Sequence, residues 1–204
     1  MSAQADIVAS RALPGGCELR ALIDDDTREL HALIERNRAR LARWIHWASD
    51  QTEQDTRALI GRVRAREQDG GGLSRAVLAS GQIAGVLSIT VDRRNRSAAI
   101  GYWIDRDSAG RGIVTSGVAA LVADGFERYR LVRVEIRADV ENRASRAVAE
   151  RLGFQLEGVL RQSYRVSEQH YSDDAVYSML ASDPALDVVR AWQLEGNTGS
   201  TPRR

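Results

Sequence analysis

Ile104-Asp105-Arg106-Asp107-Ser108-Ala109-Gly110-Arg111-Gly112-Ile113-Val114-Thr115-Ser116 joins a strand-like segment to an amphipathic helix through a short loop with two glycines. Glycine lets a backbone approach an anion closely, and the first N–H groups of a helix have no partner within it. Thr115 and Ser116 add hydroxyls in the first turn. The loop is a candidate phosphate cradle without a lysine, suited to a pyrophosphate; an ordinary strand-to-helix turn has the same local signature. No third glycine follows at the place a dinucleotide fingerprint requires.

Outward from the loop, the periodicity gives a mixed α/β order. Residues 73–80 and 83–92 alternate as strands around Gly81-Gln82, a hairpin signal, and 96–105 is the strand entering the loop. Beyond it, 114–129 is helical, with Val114, Val118, Leu121, Val122 and Phe126 on one face. In 131–139, Val132, Val134, Ile136 and Ala138 point one way and Arg133, Glu135, Arg137 and Asp139 the other. Residues 142–152 form a helix, and 154–165 with 171–180 a last strand pair. Toward the N-terminus, 17–23 is a strand, and Asp24, Asp25, Asp26 and Thr27 open a helix. Its apolar residues Leu30, Leu33, Ile34, Leu41, Trp44 and Ile45 keep helical spacing, as one long helix or two broken near Arg36–Arg40. A second helix covers 53–67 and ends at three glycines. The expected organisation is a flexible arm over 1–16, one domain over 17–182, and a C-terminal extension over 183–204 with a disordered Gly/Ser/Thr/Pro end.

Composition removes several classes of function. With 29 basic and 28 acidic residues, neither disorder nor a strongly basic nucleic-acid face is expected. Every basic residue is arginine; without lysine there is no Schiff-base or pyridoxal-phosphate chemistry and no Walker-type NTPase. Cys17, the single cysteine, excludes an internal disulfide framework, and His31, His46 and His170 have no metal-ligand spacing. Apolar runs are too short to span a bilayer and a signal-peptide core is lacking, so a cytoplasmic location is expected.

Other blocks extend the loop into a longer pattern. Ile100-Gly101-Tyr102-Trp103-Ile104 precedes it, and Glu141-Asn142-Arg143-Ala144-Ser145, Leu152-Gly153-Phe154 and Glu157-Gly158-Val159-Leu160-Arg161 follow. Tyr171-x-Asp173 with Tyr177 closes the pattern, and Leu41-x-x-Trp44-Ile45-x-Trp47 stands near its start. Together they resemble the GCN5-related N-acetyltransferase (GNAT) superfamily, and within it the Rim-type ribosomal-protein N-terminal acetyltransferases. In the superfamily's acyl-CoA pattern, Gln/Arg-x-x-Gly-x-Gly/Ala, Gly112 matches while Ala109 and Val114 stand at the first and last places, which vary in the Rim-type subfamily.

The resemblance implies a single central mixed sheet, antiparallel at its N-terminal side, with two splayed parallel strands (100–105 and 132–139) that admit acetyl-CoA. Its pyrophosphate is expected on Gly110, Arg111, Gly112, Ile113, Val114, Thr115 and Ser116. Backbone at Trp103, Ile104 and Asp105 is expected to pair with the pantetheine and to polarise the thioester carbonyl. Asn142 matches the asparagine that bonds the pantetheine arm, and Ser145, one turn later, is a candidate proton donor to the departing thiolate or a guide for the amine. A helix cap followed by a solvated hydroxyl is the alternative for this pair. The implied activity is direct acetyl transfer in a ternary complex, without a metal, to a primary amine of a peptide N-terminus or a small molecule such as an aminoacyl nucleotide or an antibiotic. A non-catalytic acyl-CoA-binding module is the rival, and a monomer or homodimer is expected.

Departures from the pattern leave the general base open. Ala99, Gly101 and Trp103 stand where many members carry a glutamate, Ala149 stands at the general-acid tyrosine, and Tyr164 replaces the Rim-type glutamate. Glu135 is a candidate base, although a solvated charged row gives the same pattern. Trp44 and Trp47, three apart with His46 between them, are either core or the wall of an acceptor pocket. Arg36, Arg38, Arg40 and Arg43 with Arg62, Arg64 and Arg66 are a solvated face or a contact for an acidic partner or RNA.

Overall fold

A computed structural model of the chain describes residues 10–196. Eight strands, β1 (Ser10–Leu13), β2 (Cys17–Ala21), β3 (Gly72–Ala79), β4 (Gln82–Asp92), β5 (Ser97–Ile104), β6 (Arg133–Asp139), β7 (Gln155–Arg165) and β8 (Tyr171–Leu180), form one sheet in the order β1-β2-β3-β4-β5-β6-β8-β7. Every neighbouring pair is antiparallel except β5 and β6, which run parallel because a helical crossover joins them. This is the mixed α/β architecture expected from the sequence.

Helices α1 (Thr27–Leu41) and α2 (Glu53–Gln68) cover one face, where Leu30, Leu33, Ile34, Ile60 and Val63 pack on Ala76 and Ile83. Helices α3 (Ile113–Glu127), α4 (Arg143–Arg151) and α5 (Leu186–Gly196) cover the other. The alternation of β6 is realised there: Val134, Ile136 and Ala138 are buried, and Val134 and Ile136 join the core beneath α3. Helix α2 starts at a capping box, with Thr52 Oγ1 accepting from Asp55 N at 3.1 Å and Asp55 Oδ2 accepting from Thr52 N at 3.0 Å. Helix α3 lies close to β4 because Gly117 is small: a Cβ there would stand 2.6 Å from Leu87 Cδ2.

Three expectations change. Within the expected arm, Ser10–Leu13 is an edge strand paired with β2, and Leu13 reaches the core; residues 1–9 lie outside the description. The first helix stops at Leu41, so Trp44 lies in a turn and Trp47 in a short 3₁₀ turn, His46–Ser49, rather than on one helical face. The cause is Arg38, whose guanidinium donates to the carbonyls of Ala48 and Gln51, each at 2.7 Å, and folds the chain back. The C-terminal extension contains α5, whose Val189 is fully buried against α3; of the expected disordered end, residues 197–204 lie outside the description.

Candidate active site

Strands β5 and β6 pair only from Ser97↔Arg133 to Ile100↔Ile136. Past that point β5 stays bonded to β4 up to Ile104↔Gly85, while β6 follows β8 to Asp139↔Asp174. The parallel pair therefore opens into a notch, which widens into a cleft of about 1580 Å³. Trp103, Ile104, Gly110, Arg111, Gly112, Ile113, Val114 and Thr115 line one end of it, with Asn142 and Ser145.

The loop before α3 has the conformation its glycines require. Gly110 and Gly112 have φ of 75° and 76°, a region that L side chains enter at a cost. The first amide to bond back along α3 is that of Ser116, to Gly112 O at 3.0 Å, which leaves Ile113, Val114 and Thr115 N–H as the open donors of the helix start. These donors and the Thr115 hydroxyl share the cleft, and they fit a pyrophosphate. Asn37 of α1, only 4% exposed, holds the loop from behind. Its Nδ2 donates to Asp105 Oδ1 at 2.7 Å, and its Oδ1 accepts from Arg106 N at 3.2 Å and from Arg40 at 3.1 Å. Arg40 also donates to Ile104 O.

At the start of α4, Asn142 Oδ1 accepts from Ser145 N at 3.2 Å, so the side-chain NH₂ is the part left for a ligand. Ser145 Oγ donates to Tyr102 Oη at 3.1 Å, and Tyr102 Oη donates to the Ser145 carbonyl at 2.9 Å. Burial pushes the Tyr102 phenol up to about 12, so it keeps its proton at neutral pH. Tyr102 lines the cleft on the α3–α4 side of the sheet.

The opposite face supplies the other end of the cleft. Trp44 and Trp47, both half-buried, line it together with Tyr164, Ser163, Ser172 and Asp174 from the β7–β8 pair. The wall is closed by His46, whose Nδ1 lies 2.6 Å from Tyr164 Oη. Burial raises the Tyr164 pKa, and the Asp174 charge adds to the rise, so Tyr164 stays a phenol.

Four of the candidate catalytic, cofactor-binding and acceptor residues do not line the cleft, and of the arginine group only Arg40, Arg62 and Arg66 do. Asp105 turns its carboxylate to Asn37 and, at 3.6 Å, to Arg36. Ser116 Oγ is buried and has no hydrogen-bond partner among the described residues. His46 is exposed and acts on the wall through Tyr164. Glu135 lies on the still-paired part of β6, opposite Ala99, where it accepts from Arg137 Nε at 2.9 Å and Arg133 at 3.3 Å. That places it outside the notch, between guanidinium groups. Tyr102, Asn37, Asp174 and Trp192 of α5, which also lines the cleft, were not identified as site residues from the sequence. Tyr102 and Asp174 sit within the quoted blocks, whereas Asn37 and Trp192 carry no local signal.

A cleft formed by a parsed parallel pair, with a helix start at one end and an aromatic wall at the other, has relatives. Residues 17–155 match the family model described as acetyltransferase (GNAT) domain. The putative ribosomal N-acetyltransferase YdaF of Bacillus subtilis is 37% identical over 165 residues, covering 79% of this chain and 90% of that protein. The ribosomal-protein-serine acetyltransferase of Escherichia coli is 30% identical over 165 residues, covering 80% and 92%. Among solved structures, the ribosomal L7/L12 α-N-protein acetyltransferase RimL with coenzyme A superposes with a TM-score of 0.77 at 30% identity, covering 85% of this chain and 97% of that one. The microcin C7 self-immunity acetyltransferase MccE with acetyl-CoA and AMP gives 0.76 at 28%, covering 80% and 92%. With its notch, its open helix amides and this extent of similarity, the chain belongs to the GNAT family and is an N-acetyltransferase.

Proposed function

We propose that the protein transfers the acetyl group of acetyl-CoA to the α-amine of a polypeptide N-terminus, directly and within a ternary complex. The observation that carries this reading is a single cleft that joins the open α3 amides to the Trp44–Trp47–Tyr164 wall through the β5/β6 notch. Donor and acceptor can thus meet without the acetyl group leaving the protein. The names of YdaF and the E. coli relative support a ribosomal-protein acceptor.

The chemistry asks for positioning above all. Amides of Ile113, Val114 and Thr115 hold the pyrophosphate, and the Asn142 NH₂ holds the pantetheine. A backbone N–H of the splayed half of β5 polarises the thioester carbonyl. The amine nitrogen attacks that carbon, the C–N bond forms, and the C–S bond breaks as the tetrahedral intermediate collapses. Ser145 Oγ gives its proton to the leaving sulfur and takes the proton shed by the nitrogen. Tyr102, fixed on the Ser145 carbonyl, keeps that hydroxyl in place. Cys17 takes no part: it is buried on β2 and does not line the cleft, and burial raises its thiol pKa against the opposing charge of Arg111.

The test is release of free coenzyme A thiol, with product masses, from acetyl-CoA and a panel of amines. The panel holds serine- and alanine-initiated peptides, the same peptides formylated at the N-terminus, a polyamine and an aminoacyl-nucleotide analogue. The expected result is one added acetyl group on free N-termini and none on blocked ones. Acetylation confined to the small amines would replace the polypeptide acceptor. The nucleotide analogue has its own support, since indole faces at Trp44 and Trp47 can stack on a base and MccE was solved with AMP. Binding of acetyl-CoA without turnover of any amine would mark an acyl-CoA-binding module.

A further inference from the structure

We propose that Asp174 is the carboxylate that receives the acceptor's ammonium group and removes its proton; the inference rests on the acetyl-transfer reading above. Three aspartates are among the buried charged residues, Asp26, Asp105 and Asp174, at 4%, 8% and 9% exposure. Asp26 has the Arg20 guanidinium at 2.7 Å, and Asp105 has Arg36 at 3.6 Å. Asp174 has no arginine or histidine within ion-pair distance among the described residues. Among the described residues its oxygens accept from Ser163 Oγ at 2.9 Å and, at the limit of a hydrogen bond, from Ser172 Oγ at 3.5 Å. A buried carboxylate without a cation is costly, and serine hydroxyls compensate only part of that cost.

Its setting points to where the missing cation comes from. Asp174 lines the cleft on the face that carries Trp44, Trp47 and Tyr164, beside the splayed half of β6. Directly across the strand pair stands Asp139, which also lines the cleft and accepts from Glu141 N at 2.7 Å. Like charges opposite each other in a sheet repel, and a ligand cation between them removes the repulsion. Of the charged or titratable groups that line the cleft with it, Arg137 on β6 is engaged with Glu135, Glu141 with Arg43, and Tyr164 on β7 with His46, and the other arginines of the cleft stand beyond ion-pair distance of Asp174. Asp173, the neighbour on β8, points to the other face and accepts from Gln162 N at 2.8 Å. Among the described residues no arginine of the cleft reaches Asp174 to neutralise it, whereas an acceptor amine arrives protonated at neutral pH.

The two ends of the reaction then lie on opposite sides of the notch, with Asp174 toward α1 and α2 and Ser145 toward α3. Asp174 takes one proton from R–NH₃⁺ and passes it to solvent through the cleft. The neutral amine attacks the thioester, its second proton leaves through Ser145, and the products are the amide and the coenzyme A thiol. Tyr164, a phenol where the family resemblance implies a carboxylate, is thereby relieved of the base role by a neighbour on the adjacent strand.

Asp174→Asn keeps the shape and the serine contacts and removes the charge. With a peptide acceptor shown to be acetylated by the unaltered protein, its kcat/KM at neutral pH should fall about 100- to 1000-fold. Acetyl-CoA affinity by calorimetry should stay within twofold, and Asp174→Glu should recover part of the rate. In the unaltered protein, the rising limb of the pH–rate profile should hold its position across acceptors of different basicity. That limb should be missing in Asp174→Asn, which should instead follow the acceptor's own pKa. A limb that tracks the amine in the unaltered protein overturns the proposal even if the variant fails to fold. So does an Asp174→Asn enzyme with normal kcat/KM. Failure of the unaltered protein to acetylate any amine would instead overturn the acetyl-transfer reading itself.

Discussion

Asn37 anchors to α1 the loop proposed to hold the pyrophosphate. Replacing it with alanine removes the 2.7 Å bond to the Asp105 carboxylate, the 3.0 Å bond to Leu33 O, and the acceptor for Arg106 N and Arg40. A hydrogen bond to a charged group contributes about 1.5–3 kcal/mol and a neutral one about 0.5–1.5 kcal/mol. Water entering the space left by the amide offsets part of this, so the net loss should be about 2–4 kcal/mol. For a chain of this size that lowers the Tm by roughly 5–15 °C. The same change loosens residues 105–106 on α1, leaving Arg36 and Arg40 as their remaining ties, and with them the loop that leads to Gly110 and Gly112. Acetyl-CoA affinity should then fall roughly tenfold, about 1.4 kcal/mol. Asn37→Asp should be worse at neutral pH, because it sets a second carboxylate against Asp105, and should improve on acidification. Thermal unfolding and calorimetry with acetyl-CoA measure both effects. A Tm within a degree of the unaltered protein, with unchanged affinity in Asn37→Ala, would show that the loop holds itself and that the reasoning is wrong.

Gly112→Val should weaken acetyl-CoA binding at least tenfold, since a β-branched residue at φ 76° is strained and its side chain enters the cradle; unchanged calorimetric affinity would move the pyrophosphate elsewhere. Ser145→Ala should lower kcat by roughly ten- to a thousandfold and leave acetyl-CoA affinity intact. Tyr102→Phe should give a smaller loss of the same kind, as it only loosens Ser145; equal kcat in all three proteins would remove the hydroxyl from the proton path. Glu157, bonded to Arg133 at 2.6 Å and 2.7 Å, has its pKa lowered from 4.5 to about 2, chiefly by that guanidinium. Its contribution to stability is therefore complete above pH 4.5 and lost as the pH falls toward 2, so Glu157→Gln should flatten the acid-unfolding curve within that window, as followed by circular dichroism.

The sequence by itself determined the local elements, the glycine loop ahead of α3 among them. A period of two in β6, the three glycines that end α2 and the glycines ahead of α3 are short-range signals, because each depends on residues within one or two turns of one another. The glycine loop at residues 110–115 was legible for the same reason, whereas Asn142 and Ser145 have the local signal of a helix cap and drew their proposed roles from the family resemblance. Tertiary structure decided what lines the other end of the cleft, the proposed acceptor side. Arg38 ends α1 early by binding carbonyls ten and thirteen residues away and so turns Trp44 and Trp47 into one wall. Glu135 and Asp174 are both acidic residues on strands, and nothing local separates them. The point at which β5 leaves β6 leaves Glu135 in the closed part of the sheet among arginines and Asp174 beside the opening without a cation. Charge in a buried site is a matter of which strands become neighbours, and pairing between strands distant in the chain is written in no single stretch of it.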